Sequence, residues 1–138
     1  MVKDSKFKVL IIDDEASIRR VLKDSLEDEG YIVSVAKDGE EGLRLVQELR
    51  PKVVLLDVWM PGRIDGIGVL QKAQGLSQDT SFIVMSGHGT IETAVKATKL
   101  GAWDFVEKPL SIEKILILLK NISSYQFERD EKMAVSYT

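Results

Sequence analysis

Reactive polar side chains follow the short apolar runs of this 138-residue sequence. They are those of Asp13, Asp14, Asp57, Ser86 and Lys108. Three carboxylates held close together repel one another, which is costly unless a cation joins them. Oxygen ligands that leave positions open for water and a phosphate favour Mg²⁺ over the larger coordination shell of Ca²⁺, and Mn²⁺ can substitute. These residue types therefore predict a divalent cation site.

A lysine and a hydroxyl beside such a cation provide a point charge and a hydrogen-bond donor for a tetrahedral anion. Together with the carboxylates, Ser86 and Lys108 predict a site that handles a phosphoryl group, with Asp57 as the best candidate nucleophile. Each residue also has an ordinary structural reading on its own, as a helix cap, a turn former or a solvated lysine. Their arrival at one edge of a sheet is what favours a functional site.

Five short apolar, β-branched runs predict buried strands, and apolar residues spaced three and four apart between them predict helices. The strand runs are Val9 to Ile12, Tyr31 to Val35, Val53 to Leu56, Phe82 to Met85, and Phe105 with Val106. This alternation predicts a parallel sheet covered by helices on both faces, with right-handed crossovers. In such sheets ligands bind beyond the carboxyl ends of the strands, where the reactive residues stand.

The predicted helix ends agree with this division. Asp38 with Glu41 resembles a capping box, Thr90 and Ser111 stand at N-cap positions, and Gly30 and Gly101 follow the first and fourth helices. The chain length fits one domain, predicted over residues 1–122. Residues 123–138 turn polar, and we expect them to prolong the last helix or to form a linker to an output domain.

Composition excludes several classes of protein. The chain has 19 basic and 22 acidic residues, a net charge of −3, one histidine and no cysteine. Disulfides, thiolate chemistry and histidine-rich metal cages are therefore excluded, and no basic run favours direct binding to nucleic acid. Neither a membrane-spanning run nor a signal peptide is present, so we expect a cytoplasmic protein without membrane contact.

Four segments resemble, in the expected order, the motifs of the receiver domain of two-component response regulators. They are Ile11 to Glu15, Leu55 to Gly62, Met85 to Gly89, and Gly101 to Pro109. The resemblance extends from about Lys8 to Ile122, nearly the whole chain. It implies a flavodoxin-like three-layer (βα)5 fold whose parallel five-stranded sheet has the order 2-1-3-4-5.

The same resemblance implies that Asp57 is phosphorylated by a phosphohistidine of a sensor histidine kinase. Asp14 would bind Mg²⁺ directly and Asp13 largely through water. Asp57 and the backbone carbonyl of Trp59 would complete the protein's ligands. Such a domain is a phosphorylated signalling module, which catalyses only its own phosphoryl transfer and autodephosphorylation.

The resemblance also implies how phosphorylation is read. Ser86 would bond one phosphoryl oxygen and Lys108 another, and the loop after the fourth strand would move inward while Phe105 turns into the space vacated. The output surface would be the fourth helix, the fifth strand and the fifth helix, through which a homodimer is also expected. The Lys108–Pro109 peptide bond would be cis. Phe105 also has a plain reading as a core aromatic residue.

The segments around Ser86 to Ala94 and Glu107 to Leu110 resemble most the receivers of sigma-54-dependent transcriptional activators, so the output is expected to be transcription. The chain is then either an excised receiver with a piece of linker or a natural stand-alone receiver. One departure from the family is an extra residue between Met60 and Gly66. It puts in question the shape of that loop and the aim of the Trp59 carbonyl.

Other functions fit less well. A haloacid-dehalogenase-type phosphatase needs a second acid two residues after the nucleophile, where this chain has Trp59. A flavin or dinucleotide domain needs a different loop after the first strand, and Gly66 to Gly68 is better explained by helix packing or a cap. The remaining alternative is a receiver fold that serves, unphosphorylated, as a docking module.

Two further residues are expected at the rim of the site. His88 stands two residues after Ser86, and Trp59 two residues after Asp57. Our hypothesis is that they set how easily water reaches the phosphoryl group, with Trp59 shielding it. The alternative is that both are ordinary exposed loop side chains.

Overall fold

Strands and helices alternate strictly along the chain. The computed structural model describes residues 6–60, 65–76, 79–87 and 91–136. The elements are β1 (Lys8–Ile12), α1 (Ala16–Asp28), β2 (Ile32–Ala36), α2 (Gly39–Leu49), β3 (Val53–Asp57), α3 (Gly66–Leu76), β4 (Ser81–Ser86), α4 (Ile91–Lys99), β5 (Asp104–Glu107) and α5 (Ile112–Ser136). Every predicted apolar run overlaps a strand.

The five strands form one sheet in the order β2-β1-β3-β4-β5, and every neighbouring pair is parallel. The predicted flavodoxin-like topology is therefore confirmed. The register aligns Asp57 with Met85 and Ser86 with Glu107. Because all strands point the same way, their carboxyl ends share one edge of the sheet.

Alternate residues of each strand enter two separate cores. Val9 and Ile11 face a core completed by α1 and α5, whereas Leu10 and Ile12 face a core completed by α2, α3 and α4. β3 is buried on both faces from Val53 to Asp57. This explains its continuous apolar sequence, because a central parallel strand meets helices on both sides.

The described helix ends have the capping residues that the sequence predicts. Asp38 accepts a hydrogen bond from the Glu41 amide at 2.9 Å, and the hydroxyl of Ser111 accepts one from the Lys114 amide at 3.2 Å. Gly30 and Gly101 have positive φ angles of 95° and 105°, as their positions after helices require. Thr90 lies outside the described residues.

β2 begins at Ile32, one residue later than predicted. The Tyr31 amide donates to the carbonyl of Leu26, so Tyr31 still belongs to the turn that closes α1. Its side chain nevertheless enters the core formed with α1 and α5. The prediction of a fully buried strand is wrong for this run, because β2 is an edge strand in which Ile32 is exposed and Val35 only partly buried. Tyr31 closes a helix instead of pairing in the sheet.

α5 continues to Ser136, well past Ile122, whose side chain is in the core. An extension of the last helix was one of the two expectations for this segment; its role as a linker stays a prediction. Within the part of the chain that the structure describes, none of the helices combines the length and hydropathy needed to cross a bilayer.

Leu55 offers a test of the sheet core. Its side chain is fully buried between β1 and β4 neighbours, and we expect Leu55→Ala to lower the free energy of unfolding by about 2–5 kcal/mol. Leu76→Ala, at the exposed end of α3, is the matched control and should cost less than about 1 kcal/mol. Urea denaturation measures both, and equal losses would contradict the burial of Leu55 in the sheet core.

Candidate functional site

The reactive residues meet at the carboxyl edge of the sheet because of where the strands stop. Asp13 directly follows β1, Asp57 and Ser86 are the last residues of β3 and β4, and Lys108 directly follows β5. The carboxylates of Asp13, Asp14 and Asp57 lie within 4.8 Å of one another. The structure thus brings together the three acids that the sequence placed at this edge.

Asp13 is fixed through its backbone and through one carboxylate oxygen. Its amide donates to the Ala36 carbonyl at 3.1 Å, and its Oδ1 accepts from the Glu15 amide at 2.8 Å. Its own carbonyl accepts from Arg19 Nη1 at 2.8 Å. The side chain is fully buried, and its other oxygen, Oδ2, faces the site at 3.0 Å from Lys108 Nζ.

Asp57 is oriented in the same way. Its Oδ1 accepts from the Trp59 amide at 3.0 Å, and its Oδ2 lies 3.3 Å from Lys108 Nζ. The residue is 2% exposed. Burial, reinforced by the charge of Asp13, raises the pKa of Asp57 to about 6, against the opposing effects of the Trp59 and Lys108 hydrogen bonds. Oδ2 is the oxygen that faces Lys108.

Lys108 balances this negative charge. Its ammonium group lies 3.0 Å from Asp13 Oδ2, 3.3 Å from Asp57 Oδ2 and 3.6 Å from Glu15 Oε1. Burial lowers the pKa of Lys108, but its bonds to Asp13 and Asp57 outweigh burial and leave that pKa above its ordinary value. Its backbone amide donates to the Ser86 carbonyl at 2.8 Å, and its peptide bond to Pro109 is cis, as the resemblance implies.

The residues at this edge fit a hard divalent cation. Asp13 Oδ2 is the one buried side-chain oxygen or nitrogen among the described residues without a hydrogen bond, since its ion pair with Lys108 is close but not aligned as one. Burial also raises the pKa of Asp13. The exposed Asp14 carboxylate makes no hydrogen bond or ion pair with the described residues. Three carboxylates against one ammonium leave a negative site with oxygen ligands, which suits Mg²⁺ or Mn²⁺.

An open cleft leads to these groups. It has a volume of about 500 Å³ and is lined by Asp14, Glu15, Ile18, Asp57, Trp59, Gly87 and Lys108. Trp59 is 59% exposed at its rim. A second, largely apolar groove of about 310 Å³ adjoins it and shares Lys108, running between α1 and the segment from Pro109 to Ile112. A phosphate-sized group therefore has access from solvent.

The other sequence-predicted residues are placed as follows. Ser86 is buried at the carboxyl end of β4. Phe105 is half-buried and packs on the core beneath α4. His88 and residues 61–64 of the loop with the extra residue lie outside the described part of the chain.

Two contributors to the site were not recognised from the sequence. A Cβ on Gly66 would lie 2.3 Å from Val58 Cα and 2.4 Å from the Asp57 carbonyl oxygen, so only glycine lets α3 begin this close to β3. The predicted role of Gly66 in helix packing is therefore confirmed, and what the sequence did not indicate is that this packing lies against Asp57. The bond from Arg19 to the Asp13 carbonyl has no sequence signal, because nothing in the motif says that a helix side chain reaches back.

Known proteins resemble this chain over most of its length. Residues 9–120 match the family model described as response regulator receiver domain. An NtrX-like response regulator of Rickettsia typhi is 45% identical over 117 residues, which are 84% of this chain and 25% of that protein. The regulatory protein AtoC of Escherichia coli is 32% identical over 124 residues, 90% of this chain and 27% of that protein.

The solved receiver domain of NtrX from Brucella abortus superimposes with a TM-score of 0.78 at 35% identity, covering 83% of this chain and 96% of that one. This chain spans about a quarter of the length of the two curated relatives. Both relatives are response regulators of the sigma-54 activator-like kind that the sequence resembles, so that resemblance is confirmed.

The raised pKa of Asp57 has a consequence for stability. Because its folded pKa, about 6, exceeds the ordinary value of 3.8, the folded state binds the proton more tightly, and stability falls as pH rises from about 4 to 6. In the presence of a chelator at pH 7, we expect Asp57→Asn to raise the free energy of unfolding by about 1–3 kcal/mol. The gain should shrink below pH 4, where the wild-type carboxyl is neutral too.

Denaturation curves at several pH values measure this difference. Asp24→Asn, an exposed acid on α1, is the control and should change stability by about 0.5 kcal/mol or less. A less stable Asp57→Asn protein at pH 7 would show that the carboxylate is stabilised in the folded state, contrary to this prediction.

Proposed function

Because the chain belongs to the response regulator receiver domain family, we propose that Asp57 accepts a phosphoryl group from a phosphohistidine of a sensor histidine kinase. One observation carries this proposal: a buried Asp57 carboxylate has one oxygen fixed by the backbone and the other facing Lys108 and Asp13 in an open cleft. Asp57 Oδ2 attacks phosphorus, the bond from phosphorus to the kinase imidazole breaks, and the imidazole leaves with the bonding electrons.

The neighbouring residues prepare this oxygen. The Trp59 amide holds Oδ1, which leaves Oδ2 directed at the phosphoryl group. Above its pKa of about 6, Asp57 is mostly ionised and hence nucleophilic. The ammonium group of Lys108, already 3.3 Å from Oδ2, is close enough to pair with a phosphoryl oxygen.

We assign the cation to Mg²⁺, with Mn²⁺ as a substitute. Asp13, Asp14, Asp57 and the backbone carbonyl of Trp59 would hold it. When bound, Mg²⁺ would neutralise these carboxylates and the charge on the phosphoryl oxygens. Within the described residues, the buried Asp13 Oδ2 has no hydrogen bond, and carboxylate oxygens of Asp13, Asp14 and Asp57 lie within 4.8 Å of one another, which supports this assignment.

The response to phosphorylation is proposed to use Ser86 and Phe105. Ser86 ends β4 one residue after Met85, the partner of Asp57 in the neighbouring strand, and this position supports its proposed bond to a phosphoryl oxygen. Phe105 is only half-buried, which leaves it room to turn by packing changes alone. The surface of α4, β5 and α5 would then carry the output.

Exposed apolar side chains on that surface support its proposed use in a homodimer. Trp103 and Tyr125 stack edge to face with ring centres 5.2 Å apart, and Val95 and Ile117 are also exposed. Dimerisation stays a prediction, as do the absence of direct nucleic-acid binding and the cytoplasmic location. By analogy with the regulators that this chain resembles, we propose that its output is control of transcription.

Phosphorylation is tested with a small phosphodonor. Incubation with acetyl phosphate and Mg²⁺ should add one phosphoryl group to the wild type, read by intact mass, and none to Asp57→Asn. Asp24→Asn, which keeps the site intact, should be labelled like the wild type, and a chelator should prevent labelling. Labelling of Asp57→Asn would refute the site, and an unlabelled wild type would favour the unphosphorylated docking module.

The lifetime of the phosphoryl group tests the proposed roles of Trp59 and His88. Trp59 covers the rim of the cleft, so Trp59→Ala should admit water and speed loss of the phosphoryl group several-fold. His88→Ala should also change this rate. Trp103→Ala is the control, because the Trp103 amide bonds Phe82 near the amino end of β4, at the opposite edge of the sheet. The hypothesis is wrong if neither Trp59→Ala nor His88→Ala alters the rate.

A further inference from the structure

Arg19 makes an unusual contact with the acidic edge. From within α1, its Nη1 reaches back and donates to the carbonyl oxygen of Asp13 at 2.8 Å. That carbonyl belongs to the peptide unit that joins Asp13 to Asp14. The neighbouring Arg20 is exposed and makes no hydrogen bond or ion pair with the described residues. Two adjacent arginines therefore carry the same charge, but only one touches the site.

The contact matters because of what holds Asp14. The Asp14 carboxylate has no partner among the described residues, so its position depends on its backbone. That backbone is fixed on one side by the bond from Arg19 and on the other by the bond from the Glu15 amide to Asp13 Oδ1. Loss of the Arg19 bond would remove the one hydrogen bond given to the carbonyl of the Asp13–Asp14 peptide by the described residues, and so loosen the backbone of Asp14.

The charge of Arg19 and its hydrogen bond to the backbone should have opposite effects on cation binding. A fixed guanidinium near a cation site repels the incoming cation, so a purely electrostatic Arg19 would weaken binding. A guanidinium that pins the Asp13–Asp14 peptide reduces the ordering needed when the cation binds, and so strengthens binding. The sign of the effect of removing Arg19 therefore separates the two roles.

We propose that Arg19 is a positioning residue of the cation site, which preorganises Asp13 and Asp14 by holding the peptide between them. The inference rests on the proposed function, because it takes the acidic edge to bind a divalent cation. It adds that the affinity for the cation also depends on Arg19, a residue that is not itself a ligand. Arg19 touches neither cation nor phosphoryl group and acts through the backbone of the ligands.

Binding of Mn²⁺ alone tests the proposal, followed by electron paramagnetic resonance of the free ion. Arg19→Met should weaken Mn²⁺ binding about three- to tenfold relative to Arg20→Met, the loss expected for one hydrogen bond to a backbone carbonyl. Both variants remove one positive charge from α1. Because Arg19 contacts Asp13, any excess charge effect of its removal would tighten Mn²⁺ binding, opposite to the expected loss. Equal or tighter binding by Arg19→Met would overturn the proposal.

A second readout excludes a general structural effect. With acetyl phosphate and saturating Mg²⁺, Arg19→Met should reach the wild-type rate of phosphorylation but need more Mg²⁺ for half of it. A lower rate at saturation would overturn a role confined to positioning the cation ligands. If Arg19→Met does not fold, Arg19→Lys against Arg20→Lys makes the same comparison with the charge retained. Wild type that binds no Mn²⁺ would instead refute the cation site itself.

Discussion

Two buried carboxylates that share one ammonium group are the constraint around which this molecule is arranged. Asp13 and Asp57 are almost fully buried, and Lys108 Nζ lies within 3.3 Å of the Oδ2 atom of each. Burying a charge is costly unless it is paired and hydrogen-bonded, and a single lysine cannot fully satisfy two carboxylates with Asp14 beside them. Burial raises the pKa values of both Asp13 and Asp57, and the charge of a neighbouring carboxylate adds to each rise.

The fold tolerates these incompletely paired carboxylates because they lie only at one edge of a well-packed sheet. Each strand that contributes a residue is locked between two hydrophobic cores, and β3 is buried throughout. The packing of many apolar side chains offsets the cost of a few unfavourable charges at one edge. Close approach of α3 at Gly66 and the backbone bonds to Asp13 and Asp57 then fix the carboxylates against their mutual repulsion.

The sequence predicted the sheet and the acidic edge for the same physical reason. Buried parallel strands read as apolar runs, and the first polar residue after such a run stands at the edge where ligands bind, as Asp13, Asp57 and Ser86 do. Contacts that depend on side-chain reach were not predictable in this way. Arg19 contacts Asp13 only because a long side chain turns back over the start of α1, and Tyr31 is apolar whether it closes a helix or begins a strand.

Lys108 shows how the same incomplete pairing of carboxylates is suited to a switch. In the structure described, its ammonium group is shared among Asp13, Asp57 and Glu15, so no single bond holds it. A cation at the carboxylates would take over the charge balance that Lys108 now supplies. Lys108 would then be free to pair with a phosphoryl group on Asp57. The hydrogen bond from its backbone amide to the Ser86 carbonyl would still keep the ends of β4 and β5 together. Phosphorylation would therefore change which groups Lys108 pairs with. Because Lys108 directly follows β5, this change would reach β5 through the backbone of the lysine.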